Sequence, residues 1–311
     1  MVRINRILCP IDFSDFSRHA FDRSVAIAKG LGASVTALHV APFQATPIYP
    51  YHEPREVEAF MLSGGDRDKL TTELKRFLAV DQPIGVPVTC EVVDAPNVHH
   101  EILAQAERLP ADLIVMGPPG RSGFQRLFLG SVTEKVLRTA QPPVLTVGAA
   151  TDVVSAHDFA FKRILCAIDF SACSLAALRY AATLAEPSGT KLTALYVMEW
   201  PPLAHDPLLG PPTDLTGYRM AAQAAGLERL HNVVAELSRI GVEEIVAAGK
   251  PHHEILRIAG ERASDLIVLG IHGRNPLGRM IFGSTAEPVV RRATCPVLTV
   301  RSEVNAASAA A

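Results

Sequence analysis

The chain has 311 residues, 48% hydrophobic and 20% charged, with a formal net charge of −2. That length suits two domains of about 150 residues, each able to bury its own core. The near-neutral charge without a long basic block gives no electrostatic footing for nucleic acid, and no apolar run reaches the roughly 18 residues that a membrane span needs. Taken in chain order, short apolar runs predict strands near residues 5–11, 34–40, 86–93, 112–116 and 143–147. Longer helical patterns near 15–30, 54–80, 97–109 and 130–140 connect them. Strands alternating with helices mark βαβ units and a parallel sheet buried on both faces.

The pattern then repeats. Arg6-Ile-Leu-Cys-Pro-Ile-Asp12-Phe-Ser14 returns as Arg163-Ile-Leu-Cys-Ala-Ile-Asp169-Phe-Ser171, and Thr36-Ala-Leu-His-Val40 as Thr193-Ala-Leu-Tyr-Val197, both offset by 157. His99-His-Glu-Ile returns at His252, Asp112-Leu-Ile-Val-Met-Gly117 at Asp265, and Pro143-Val-Leu-Thr-Val147 at Pro296, all offset by 153. Four residues are therefore lost in the second copy between Val197 and His252, where Pro201-Pro202 and Pro211-Pro212 mark a variable loop. The repeat is a whole domain, longer than a solenoid unit. The expected division is a first domain over 1–148, a linker over 149–160, a second domain over 161–301 and a flexible tail over 302–311.

Each copy places a glycine pattern after its fourth strand: Gly117-Pro-Pro-Gly120, nine residues, then Gly130-Ser131, and Gly270-Ile-His-Gly273, nine residues, then Gly283-Ser284. Glycines let the backbone adopt positive φ and let a phosphate approach. Gly-Ser at a helix start offers unpaired N–H groups, a hydroxyl and the positive end of the dipole. The pattern therefore reads as an anion cradle built mainly from backbone. Asp12 and Asp169 end the first strand of each copy. In a doubly wound sheet, ligands bind beyond the carboxyl ends of strands where the strand order reverses. The alternative is that each aspartate caps the following helix, which the Asp-Phe-Ser pattern also allows.

Carrying these motifs, the chain resembles the universal stress protein family over about residues 3–148 and 161–301. The resemblance implies an α/β fold of two tandem doubly wound domains, each a five-stranded parallel sheet in the order 3-2-1-4-5 with helices on both faces. It also implies membership of the ATP-binding subgroup. In that reading Asp12 and Asp169, with the backbone at Val40 and Val197, face the adenosine. Gly117, Gly120, Gly130 and Ser131 hold ribose and phosphates in the first copy, and Gly270, Gly273, Gly283 and Ser284 in the second. The next hydroxyl differs: Thr133 is matched by Ala286, with Thr285 adjacent. Pro118 and Pro119 remove two N–H donors from the first cradle, so the second copy is expected to be the stronger site. Mg²⁺ is expected with the triphosphate, held mainly through phosphate oxygens. The resemblance further implies pairing of the two copies through Val144–Val147 and Val297–Val300, and a homodimer of whole chains.

The expected role is thus an ATP-binding stress-response regulator. The competing readings are an interaction scaffold that binds no nucleotide and a slow ATPase. Enzymatic turnover beyond weak ATP hydrolysis is not expected, because no Walker lysine pattern, repeated Ser/His/Asp constellation or general base beside the phosphate loop is present. Adjacent histidines on a helix point about 100° apart, so His99-His100 and His252-His253 do not read as a metal site. They are expected at the start of the third helix of each copy, where Glu101 and Glu254 suit the dipole. Arg121, Arg126, Arg274 and Arg279 read as solvated loop charges, with contact to phosphate as the alternative. Cys9, Cys90, Cys166, Cys173 and Cys295 are odd in number and lack Cys-x-x-Cys spacing, which suits reduced, mostly buried thiols. The N-terminal segment runs into the first strand without a signal-peptide core, so a cytoplasmic location is expected.

Overall fold

Short, continuous apolar runs such as Leu113-Ile-Val-Met116 cannot alternate an inner and an outer face, and so belong in a sheet covered on both sides. The computed structural model describes residues 2–43, 62–80, 85–117, 130–148, 161–186, 189–199, 215–237, 240–271 and 283–302. The chain divides into two units, Ile4–Ala160 and Phe161–Ala311 together with Met1–Arg3.

In the first unit the elements are β1 (Arg6–Pro10), α1 (Asp15–Leu31), β2 (Ser34–Pro42), α2 (Gly64–Leu78), β3 (Val88–Ala95), α3 (Val98–Arg108), β4 (Leu113–Met116), α4 (Ser131–Thr139) and β5 (Val144–Thr146). Its sheet is parallel throughout and ordered β3-β2-β1-β4-β5. In the second they are β6 (Arg163–Ile168), α5 (Ala172–Ala185), β7 (Lys191–Met198), α6 (Leu215–Ala235), β8 (Val242–Ala248), α7 (Pro251–Glu261), β9 (Leu266–Gly270), α8 (Ala286–Arg292) and β10 (Val297–Val300). That sheet is also parallel, ordered β8-β7-β6-β9-β10. Each unit therefore has the 3-2-1-4-5 order that the family resemblance implies.

Right-handed crossovers put α1 and α2 on one face, where they touch each other, and α3 and α4 on the other, where they also touch. Between these layers β4 is buried at all four positions, whereas the edge strand β3 is mostly half-exposed. The start of β1 is tied to β4 by a carboxylate: Asp112 Oδ2 accepts from the Asn5 and Arg6 N–H groups at 2.8 and 2.9 Å. Asp265 does the same for Lys162 and Arg163 at 2.7 and 2.9 Å.

Register locates the four lost residues more closely than sequence can. Val40 pairs with Val93 and Val197 with Ala247. Three losses thus precede the edge strand β8, and the fourth lies in the turn between β8 and α7. Helix α2 begins after Ser63, whose Oγ accepts from the Asp66 N–H at 3.2 Å. The first ten residues of the helix predicted over 54–80 fall partly in 44–61, outside the described residues, as do the expected linker and the tail beyond residue 302.

Candidate functional site

The strand order turns at the β1–β4 boundary, because α1 leaves β1 on one face and α4 leaves β4 on the other. A crevice opens there beyond the strand ends. Asp12 lies exposed at its floor, and its Oδ1 accepts from the Ser14 N–H at 3.0 Å and from the Ser14 hydroxyl. Asp169 matches it, accepting from the Ser171 N–H at 2.9 Å. Neither aspartate is the helix cap. That role falls to Ser14 and Ser171, whose Oγ atoms accept from the Ser17 and Ser174 N–H groups, both at 3.2 Å. The capping alternative for Asp12 and Asp169 is thereby corrected: each sits two residues ahead of the cap and turns back on it. Asp12 Oδ2 has no hydrogen-bond partner among the described residues.

The residue between aspartate and cap carries an unusual backbone. Phe13 has φ 61° and Phe170 has φ 63°, the left-handed region, which costs a residue with a β-carbon roughly 1–2 kcal/mol. Each ring is held from two sides. Phe13 packs edge-on against His39 and Phe77, with centroids 4.7 and 5.4 Å away. Phe170 packs on Tyr196 at 4.7 Å and lies under the Arg229 guanidinium, 4.0 Å from its centroid. An aromatic pair contributes about 0.5–1.5 kcal/mol and a cation–π contact about 0.5–1 kcal/mol. These contacts are of the size needed to offset the strain. Motif reading missed this pair of phenylalanines; the signal available was the duplicated Asp-Phe-Ser itself.

Beside the aspartate, β2 outruns β1. Leu38 C=O accepts from the Ile11 N–H at 2.8 Å, and backbone direction alternates along a strand. The Val40 N–H and C=O therefore point to the β1 side, beyond its last residue. Val197 occupies the same register in the second unit, one residue past the Ile168–Tyr196 pair.

Gly117 directly follows β4 and Gly270 ends β9, and close approach demands glycine at both. A β-carbon on Gly117 would lie 2.8 Å from Phe16 Cβ, and one on Gly270 would lie 2.4 Å from the Ser174 N. The strand ends press against the first turns of α1 and α5, bringing the positive ends of those helices to the crevice. Across it, α4 starts at Gly130 without a side-chain cap, and its first intrahelical bond runs from Glu134 N–H to Gly130 C=O at 2.8 Å. The N–H groups of Ser131, Val132 and Thr133 precede that bond and point out of the helix start. The second unit differs: the Gly283 carbonyl, at φ 80°, accepts from Glu287 N–H at 3.2 Å, but Ser284 and Thr285 form a turn, Thr285 is the N-cap without a side-chain bond, and α8 begins only at Ala286.

Thr133 is buried, and its hydroxyl donates to the Gly117 carbonyl at 3.0 Å. It ties α4 to the end of β4, and while that bond stands its hydrogen is not offered to a phosphate. Ala286 fills the matching buried position. Gly120 and Gly273 lie outside the described residues, as do Pro118, Pro119, His272, Arg121, Arg126, Arg274 and Arg279.

The paired histidines stand in the first turns of α3 and α7, with ring centroids 4.3 and 4.4 Å apart. Partial burial holds His99 and His252 below the usual imidazole range, and the neighbouring His100 and His253 push the same way. Among the described residues no group of three or more His, Cys, Asp or Glu side chains could hold a metal ion. All five cysteines are free; Cys9, Cys166 and Cys173 are buried, and burial pushes the Cys9 thiol up to about 12. A cleft of about 300 Å³ lies elsewhere, between α6, the edge strand β8 and α7, rimmed by Arg219, Gln223, Arg257 and Arg262. Neither Asp169 nor the glycines line it.

Two doubly wound units, each with a switch point at its β1–β4 or β6–β9 boundary, define a tandem α/β protein. The sequence matches the family model described as the Universal stress protein family twice, over residues 3–148 and 160–301. The chain belongs to the universal stress protein family. A universal stress protein of Bacillus subtilis is 36% identical over 147 residues, which are 45% of this chain and 99% of the relative. One from a Synechocystis strain aligns over nearly everything, 24% identical across 96% of this chain and 99% of the relative. Among solved structures, a universal stress protein from Archaeoglobus fulgidus shares the fold with a TM-score of 0.65 and 24% identity, covering 96% of this chain and 97% of that one. No helix among the described residues is long and apolar enough to cross a membrane.

Proposed function

We propose that the two crevices are adenine-nucleotide sites and that the protein is a stress-response regulator that senses ATP in the cytoplasm. One observation carries the reading. A strand-end carboxylate and the backbone edge of β2 or β7 that outruns its neighbour meet at the switch point of both units, joined by the uncapped start of α4 after Gly130 in the first and by the Gly283-Ser284-Thr285 turn ahead of α8 in the second. Donors and acceptors are separated as a nucleotide needs them. The carboxylates of Asp12 and Asp169 accept from ribose hydroxyls, and the backbone of Val40 and Val197 offers a donor and an acceptor to a base. The start of α4 at Gly130-Ser131 and the Gly283-Ser284 turn ahead of α8 attract phosphate oxygens. Mg²⁺ would arrive with the triphosphate and neutralise part of its charge, held through phosphate oxygens rather than a protein cage.

The sites are unequal. Pro118-Pro119 withholds two backbone donors from the first; in the second the Ile271 N–H is already committed to the Val300 carbonyl at 2.8 Å, so the sequence there offers one further donor, at His272. Nucleotide occupancy changes the surface offered to partners. The same proline pair supports a second reading for the first unit alone, in which it serves as a scaffold around an empty cradle.

Titration calorimetry with ATP and Mg²⁺ tests this on the wild type, Gly273→Val and Gly120→Val. The expected result is saturable binding that Gly273→Val weakens at least tenfold and Gly120→Val leaves nearly unchanged. Absence of binding to the wild type would reject the nucleotide reading in favour of the scaffold.

A further inference from the structure

The chain places phenylalanine at a left-handed backbone position in both units, where glycine or asparagine would sit without strain. The bend there is what turns the chain back, so that the Ser14 and Ser171 N–H groups reach the Oδ1 atoms of Asp12 and Asp169. With an extended residue in its place, the serine N–H would point away and the carboxylate would swing into solvent. The rings are immobilised by unlike partners: His39 and Phe77 in one unit, Tyr196 and Arg229 in the other. Two different clamps with the same outcome indicate that the locked ring, rather than any one neighbour, is what both units retain.

We propose that Phe13 and Phe170 are positioning residues, whose ring clamp holds the left-handed turn that aims the strand-end aspartate at the ligand. The proposal rests on the nucleotide reading for the identity of that ligand, but not for the turn itself. Each ring is half-buried, so direct stacking on a base is the rival role, and backbone chemistry separates the two. Glycine adopts the left-handed turn without a clamp; alanine does not. Stacking would be lost equally in both.

The test uses the full-length chain with Phe170→Gly, Phe170→Ala and Phe170→Tyr, reading amide hydrogen exchange at Ser171 without ligand and MgATP affinity. Phe170→Tyr is expected to match the wild type, and Phe170→Gly to stay within about threefold of it on both readouts. Phe170→Ala is expected to speed Ser171 exchange and to weaken binding at least tenfold. Equal behaviour of the Gly and Ala variants overturns the proposal. Should the wild type bind no ATP, the exchange readout still decides it, because a Gly–Ala difference at Ser171 requires no nucleotide. If both small variants unfold, Arg229→Ala loosens the clamp without emptying the ring's place; faster Ser171 exchange supports the proposal and unchanged exchange contradicts it.

Discussion

At Gly270 an added β-carbon would meet backbone atoms of α5 at 2.4, 2.5 and 2.7 Å, and backbone cannot step aside as a side chain can. Gly117 is less cramped, with Phe16 Cβ at 2.8 Å and backbone at 3.1 Å. Gly283 meets nothing within 4 Å and is set only by its φ of 80°. These differences predict an order of destabilisation in denaturant unfolding. Gly270→Ala should cost about 3 kcal/mol, Gly117→Ala about 1–2 kcal/mol, and Gly283→Ala about 1 kcal/mol. Equal costs would mean that the helix–strand approach is not what selects glycine at the first two. The sequence makes all three glycines look alike, as parts of the two duplicated phosphate loops. It cannot show that Gly117 and Gly270 answer first to packing, since the helix that crowds them lies about 100 residues upstream. Likewise Asp12 was legible as a strand end, but not as a turn in which Ser14 takes the cap.

At the scale of elements, partial burial is the main cause that lowers His99 and His252 in the first turns of α3 and α7, and nearby cations add to it. His99 is faced by His100 and by Lys135 of α4, and His252 by His253, Lys250 and Arg292 of α8. A histidine held below its unfolded value binds fewer protons when folded, so the stability it contributes is whole above about pH 6.5 and is lost as pH falls through its folded value. Thermal unfolding of the double variant His99→Gln, His252→Gln should therefore show a smaller drop in Tm between pH 7 and 5 than the wild type. An identical drop would place the acid sensitivity elsewhere. Strand and helix identities were readable here because period and length agree: β4 and β9 are short, apolar and bounded by Asp and Gly. The edge strands were harder to bound. Their half-exposed pattern in β8 carries glutamates at positions 243 and 244 and fixes register only through pairing with β7.

For the whole molecule, the repeat was the most informative feature of the sequence. A duplicated 157- or 153-residue offset establishes two equivalent domains from one chain, and each carries the same strand order. It also exposes inequality, because any departure stands out against its twin: Pro118-Pro119 against Ile271-His272, Thr133 against Ala286, His39 against Tyr196. What the repeat could not reveal is the three-plus-one split of the lost residues, which only pairing across β7 and β8 shows, or the cleft beside β8, whose lining comes from three separated elements.

The central claim is that nucleotide enters the crevice at the switch point, and amide chemical-shift mapping during titration with MgATP tests it most directly. The account predicts that shifts appear first at Asp169, Val197, Gly283 and Ser284, with their counterparts Asp12, Val40, Gly130 and Ser131 responding at higher concentration or not at all. Shifts confined to the cleft around Arg219, Gln223 and β8, or no saturable shifts anywhere, would contradict it.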